Sequence, residues 1–206
     1  MVHAQQSVDH PTLLTIGVDG DLAGATRRYE KTIGEMAGVY RDADAWQAEV
    51  DRLGADTVVY SVNEQKYQDG SGALIVGTST VLPGRVGQEF AVTRGHLHAQ
   101  ADRAELYHCL SGRGVMLLET VDGMTEAIEL TPGRAVNVPG HWAHRSVNVG
   151  DEPFVTLFCY AADAGQDYGI IQDAGGMKSL VVVGAGDGWR TTPNPDHVGY
   201  RTGAVA

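Results

Sequence analysis

From Thr57 onward the pattern of apolar positions is one of short β-rich runs: TVVYSV, ALIVGTSTV, EFAVT, ELYHCL, GVMLLET, EAIEL, AVNV, RSVNV and FVTLFCY. Between them stand turn formers, namely LPG at Leu82 to Gly84, SGRG at Ser111 to Gly114, VDG at Val121 to Gly123, TPG at Thr131 to Gly133 and VPG at Val138 to Gly140. Many short strands at even spacing with turn signals between them predict an all-β sandwich or barrel. Ahead of the runs, RDADAWQAEVDRLG spaces Trp46, Val50 and Leu53 as one helix face, with Asp42 or Asp44 to cap it and Gly54 to end it. This helix is expected on the outside of a sheet. No segment repeats with the period of a solenoid or propeller. Residues 1 to about 12 read as a polar arm, SLVVVG after Met177 as a further strand, and about 185–206 as a peripheral tail, all around one domain spanning 1–206.

The formal charge of -11 changes the picture of partners, because it repels nucleic acid and anionic membrane surfaces. MVHAQQSVDH has neither a basic nor an apolar leader region, and no later run approaches the roughly 18 apolar residues of a membrane span. A soluble, cytoplasmic protein is expected. If Glu105 and Tyr107 face a barrel lumen, Cys109 points inward too. Cys159, next to an inward Tyr160, then points outward, so the two cysteines stay free thiols.

Candidate chemistry concentrates in GHLHAQADRAELY, Gly95 to Tyr107. On an extended strand His96 and His98 point the same way, and Glu105 returns from the next turn. His144, in VPGHWAHRSVNVG, completes the set past an acidic hairpin. Three imidazoles and a carboxylate close a shell for zinc but leave open positions on an ion that takes six ligands. His108 falls on the opposite face and His141 in a loop, both structural in this reading, and Trp142 is a core anchor. Asp122, Glu126 and Glu129 form a solvated hairpin, Met116, Leu117 and Leu118 are core, and GAGDG at 184–188 is a turn.

At these residues the sequence resembles the cupins, double-stranded β-helix barrels of jelly-roll type, here with a few short flanking helices. TRGHLHAQADRAELY, LSGRGVMLLET, ELTPGRAVNVPGHWAHRSVNVGDEPF and YAADAGQDYG together narrow the resemblance to the cupin-type, metal-dependent glucose-6-phosphate isomerases known chiefly from archaea. It extends from about Tyr60 to Gly169, and more loosely back through the Trp46 helix. The resemblance implies a homodimer that interconverts glucose 6-phosphate and fructose 6-phosphate with one divalent ion per chain. Fe(II) is the first choice, Mn(II) or Ni(II) the alternatives, and Zn(II) comes behind them. It carries the metal ligands onto His96, His98, Glu105 and His144, and the substrate contacts onto Tyr60, Ser79, Thr93, Gly95, Tyr107, Tyr160 and Tyr168. Two positions depart from the family pattern: Ser79 stands where threonine is common, keeping a hydroxyl, and Gln166 where histidine is common, removing a group that titrates near neutrality.

The implied reaction passes through an enediolate with negative charge on vicinal oxygens, which a divalent ion with two open positions would stabilise as a Lewis acid. Glu105 is assigned the proton shuttle as well as ligation. With no P-loop or basic run in the chain, phosphate would be held by the hydroxyls of Ser79, Thr93 and Tyr160 and the backbone N–H of Gly95. Alternation turns Arg94 away, so it is expected outside the site. Two other readings stay open: another cupin metalloenzyme, such as a dioxygenase or a different sugar isomerase, and a non-catalytic sugar-binding cupin.

Overall fold

The computed structural model describes residues 10–186 and 188–201, so most of the expected N-terminal arm lies outside the described residues. In chain order the strands are β1 (Arg27–Thr32), β2 (Val58–Lys66), β3 (Leu74–Val81), β4 (Arg85–Val86), β5 (Glu89–Val92), β6 (Glu105–Ser111) and β7 (Gly114–Thr120). They continue with β8 (Thr125–Leu130), β9 (Ala135–Val138), β10 (Trp142–Asn148), β11 (Phe154–Ala161), β12 (Ser179–Val183) and β13 (Trp189–Pro193). Helix α1 (Ala43–Leu53) precedes β2, and the short α2 (Gly169–Asp173) precedes β12.

All pairings are antiparallel. One sheet runs β1-β2-β3-β11-β6-β9 and the other β13-β12-β5-β10-β7-β8, with β4 beside β5. Their inner faces share one apolar core that takes in Val62, Phe90, Met116, Leu118, Phe158 and Val138. This is the expected cupin barrel with short flanking helices. Every residue of β7 is buried, because both faces of that strand are covered. His144 of β10 pairs with Leu118, which puts both side chains inward, whereas Ala143 pairs with Glu119, which puts the carboxylate on the outer face.

Of the two candidate caps on α1, Asp42 serves: its side chain accepts from the Ala45 N–H at 2.9 Å. Gly54 ends the helix with φ 92°, and the Trp46 indole donates to the Ile33 carbonyl at 2.9 Å, fastening the helix to the barrel. Strand β1 was not legible in RRYEKT, since it is mostly exposed. The open edge of β2 recruits it through main-chain pairing, Arg27 opposite Glu64.

The expected peripheral tail is corrected in part. Trp189–Pro193 pairs with β12 along its whole length, and Tyr200 is buried. The anchor is Glu119, which is 0% exposed and accepts from the N–H groups of Lys178 and Ser179 at 2.7 and 2.8 Å and from the Tyr200 hydroxyl. Glu119→Ala would strand three donors under the covering segment, so a loss of about 3 kcal/mol is expected in urea unfolding, with Glu119→Gln milder. Among the described residues no helix is long and apolar enough to cross a membrane.

Candidate active site

Strand β5 ends at Val92, and the next segment leaves the ladder because Gly95 has φ 72°. A β-carbon at Gly95 would stand 2.9 Å from the His144 carbonyl, so glycine permits the close approach that follows. His96 and His144 then exchange both backbone hydrogen bonds, at 3.1 and 2.9 Å. His96 and Leu97 therefore sit on isolated bridges, Leu97 pairing with Asp167, and His98 follows just beyond them rather than on the regular strand expected. Their side chains still share a side. Glu105 opens β6 and His144 lies on β10, and one donor atom from each of His96, His98, Glu105 and His144 falls within 4.8 Å of the others. All four residues are buried.

The protons around this cluster can be assigned from the acceptors. His98 Nδ1 faces the Arg103 carbonyl at 2.8 Å and His144 Nδ1 faces the Trp142 carbonyl at 3.0 Å. A carbonyl only accepts, so each Nδ1 carries the proton and each Nε2 points inward. His144 Nε2 lies 2.9 Å, and His98 Nε2 3.2 Å, from the same Glu105 Oε2. The second is a close charge contact without the alignment of a hydrogen bond, and the inward Nε2 of His96 has no partner either. Neutral imidazoles would set lone pairs against that oxygen. Protons or one cation must lie between, and a divalent ion supplies in one place the charge of two protons. Three nitrogens and an oxygen, converging and under-satisfied, fit a metal ion.

Electrostatics agree. Burial alone would raise the Glu105 carboxyl, but His144 and His98 outweigh it and hold Glu105 well below the usual carboxylate range. Burial, with His144 beside it, pushes His96 far below the ordinary histidine value, so that ring is neutral. Burial also works against charge on His98, yet contact with Glu105 raises it.

His96, Glu105 and His144 of the cluster floor a cavity of about 500 Å³, its open mouth included. All seven residues expected to contact substrate line it: Tyr60, Ser79, Thr93, Gly95, Tyr107, Tyr160 and Tyr168. Burial raises the phenol of Tyr60 to about 12, and burial with Glu105 beside it raises that of Tyr107, so both remain protonated. Thr93 Oγ1 accepts the Ser146 N–H at 3.1 Å, leaving its own proton free to donate. Gln166 lines the mouth and accepts the Tyr168 hydroxyl. His108 is half-buried on β6, and His141 is exposed with φ 70°; neither joins the cluster. Cys109 is buried and Cys159 half-buried, both free.

Arg94 requires a correction, because it lines the cavity, with its guanidinium carbon 5.8 Å from the Tyr168 ring centroid. Strand alternation had turned it away, but β5 has already ended and Gly95 breaks the period. Sequence reasoning also missed Tyr29 and Glu64. Tyr29 lay in a strand that polarity concealed. Glu64 carried a signal that went unused: it follows inward Tyr60 and Val62 at steps of two, a charge at an inward position.

A family model described as glucose-6-phosphate isomerase (GPI) matches residues 30–197. The glucose-6-phosphate isomerase of Sinorhizobium medicae is 45% identical over 175 residues, covering 85% of this chain and 81% of that protein. That of Thermococcus gammatolerans is 44% identical over 176 residues, covering 85% and 90%. That of Pyrococcus horikoshii is 43% identical over 162 residues, covering 79% and 84%.

Proposed function

The chain belongs to the glucose-6-phosphate isomerase family, in its cupin form, and on that premise we propose that it interconverts glucose 6-phosphate and fructose 6-phosphate with a divalent ion held by His96, His98, Glu105 and His144. The observation that carries this is the convergence of three inward Nε2 atoms on the Glu105 carboxylate at the floor of a hydroxyl-lined cavity. When bound, the ion supplies positive charge to the two neighbouring oxygens on which the enediolate's charge develops. A donor set without thiolate suits Fe(II) first, then Mn(II) or Ni(II), with Zn(II) behind them.

The chain's own residues do the rest. Glu105 carries the proton between adjacent carbons on one face of the sugar, and His144 and His98 keep it in the ionised form that this role requires. Tyr60, held neutral, donates to a substrate oxygen, and Tyr107, also neutral, contacts the substrate beside Glu105. The Thr93 hydroxyl, Ser79, the Gly95 N–H and the Arg94 guanidinium take the phosphate, which answers how a chain of charge -11 holds a dianion. Burial keeps bulk water from the proton in transit. We carry with this reading one domain over 1–206, a homodimer and a cytoplasmic location. Light scattering at twice the chain mass checks the dimer.

Chelation of the purified protein is expected to abolish fructose 6-phosphate turnover, and Fe(II) or Mn(II) to restore it without oxygen, Zn(II) less well. Full turnover by metal-free protein would remove the ion from the reaction. Turnover that requires oxygen would point to a dioxygenase, and tight sugar binding with no conversion under any ion to a sugar-binding cupin.

A further inference from the structure

The cavity holds a second carboxylate that the reaction as proposed leaves unused. Glu64 is buried on the inner face of β2, its side chain 7% exposed, and it lines the cavity without belonging to the four-donor cluster. Arg27 Nη1 lies 3.1 Å from its Oε2, and the Tyr160 hydroxyl lies 3.3 Å from its Oε1. Arg27 is 63% exposed, so this ion pair is largely screened and explains little of why a carboxylate is kept here. A buried charge retained where an apolar residue would fold as well suggests a polar task.

The direction of its hydrogen bond defines that task. A carboxylate only accepts, so the single proton of the Tyr160 hydroxyl is committed to Glu64, and the exposed side of that oxygen can only accept. A sugar hydroxyl can donate to it; a phosphate dianion, itself only an acceptor, cannot, and the Glu64 charge repels it. Thr93 has the reverse polarity, since its oxygen is occupied by the Ser146 N–H, its proton is free, and the Arg94 cation stands next in the chain. The cavity thus has an acceptor end, where Glu64 of β2 meets Tyr160 of β11, and a donor end at Thr93 and Arg94 after β5. Resting on the isomerase reading, we propose that Glu64 is a substrate-positioning residue: through Tyr160 it offers an acceptor to a sugar hydroxyl, bars phosphate from that end of the cavity, and so sets the orientation in which a sugar phosphate binds. Tyr160 accordingly leaves the set of phosphate donors to which the sequence had assigned it.

The test compares two probes on Mn(II)-loaded protein by calorimetry, inorganic phosphate and sorbitol 6-phosphate, and does not depend on turnover. In Glu64→Gln, a near-isosteric change that removes the charge, sorbitol 6-phosphate is expected to bind about tenfold more weakly, the loss of one charge-oriented hydrogen bond, while inorganic phosphate binds equally or more tightly. Tyr160→Phe added to Glu64→Gln is expected to change little further, because the two act as one unit. With fructose 6-phosphate, KM should rise about tenfold and kcat change far less. Unchanged binding of both probes by a variant that melts as the wild type does would overturn the proposal, as would parallel weakening of both, which marks a merely structural role. A large fall in kcat at constant KM would instead place Glu64 in proton transfer. Failure of the wild type to convert any sugar phosphate would sink the isomerase reading and leave the two-probe comparison to judge Glu64.

Discussion

Replacing Glu105 by Gln is expected to lower kcat about 10³-fold at saturating Mn(II), in the middle of the range for losing a general base. The amide keeps the shape of the side chain and one oxygen toward the cluster, so the change isolates charge and proton affinity. In the native chain His144 and His98 draw the carboxyl down far enough to outweigh burial, and the ionised group is therefore present throughout the physiological range. The amide cannot take a proton from carbon, and it leaves two inward Nε2 atoms without the negative partner they now share. Metal content should be measured beside kcat, because ligation and proton transfer converge on this one residue. A variant that binds the ion normally yet turns over slowly separates the two roles in favour of proton transfer. Wild-type kcat would move the base elsewhere, and Glu64 is the other carboxylate on the cavity wall.

His144→Ala is the second large effect. It deletes the imidazole nearest Glu105 and the partner of its 2.9 Å contact, so both metal affinity and the ionised state of the carboxylate suffer. Activity is expected to fall about 10³-fold at limiting ion, equivalent to several kcal/mol of lost charge stabilisation. Excess Mn(II) should recover part of it, which it would not do for Glu105→Gln. The side chain is also deeply buried, 2% exposed, and its removal leaves a void and an unanswered Trp142 carbonyl. A stability loss of about 2 kcal/mol follows and is read by thermal melting with ion absent. Retention of a full equivalent of tightly bound metal would take His144 out of the ligand set.

Much of the site was legible in the sequence because its ligands stand at positions whose spacing survives local irregularity. His96 and His98 share a side even though only isolated bridges, not a regular strand, hold this segment, since a step of two holds wherever the backbone is extended. The same rule failed one residue earlier: Gly95, at φ 72°, reset the phase, and Arg94 came into the cavity. Strand β1 escaped because RRYEKT buries little and owes its conformation to a neighbour's open edge. The tail looked peripheral for a related reason. Nothing near Tyr200 in sequence announces Glu119, its partner, as the two are 81 positions apart.

Alternating apolar runs and their glycine and proline turns sufficed to determine an all-β barrel, because side-chain periodicity and turn conformation are local properties of a chain. The motif blocks sufficed likewise for the family and the four candidate ligands. Only the folded structure decided which way the protons point: Nδ1 of two histidines toward carbonyls, the Tyr160 hydroxyl toward Glu64, the Thr93 hydroxyl away from Ser146. Hydrogen-bond polarity is set by whichever acceptor or donor stands opposite: for Tyr160 and Thr93 that partner comes from a strand far away in sequence, and for His98 and His144 it is a nearby carbonyl that only the folded backbone aims at the ring, so no side-chain pattern could encode it.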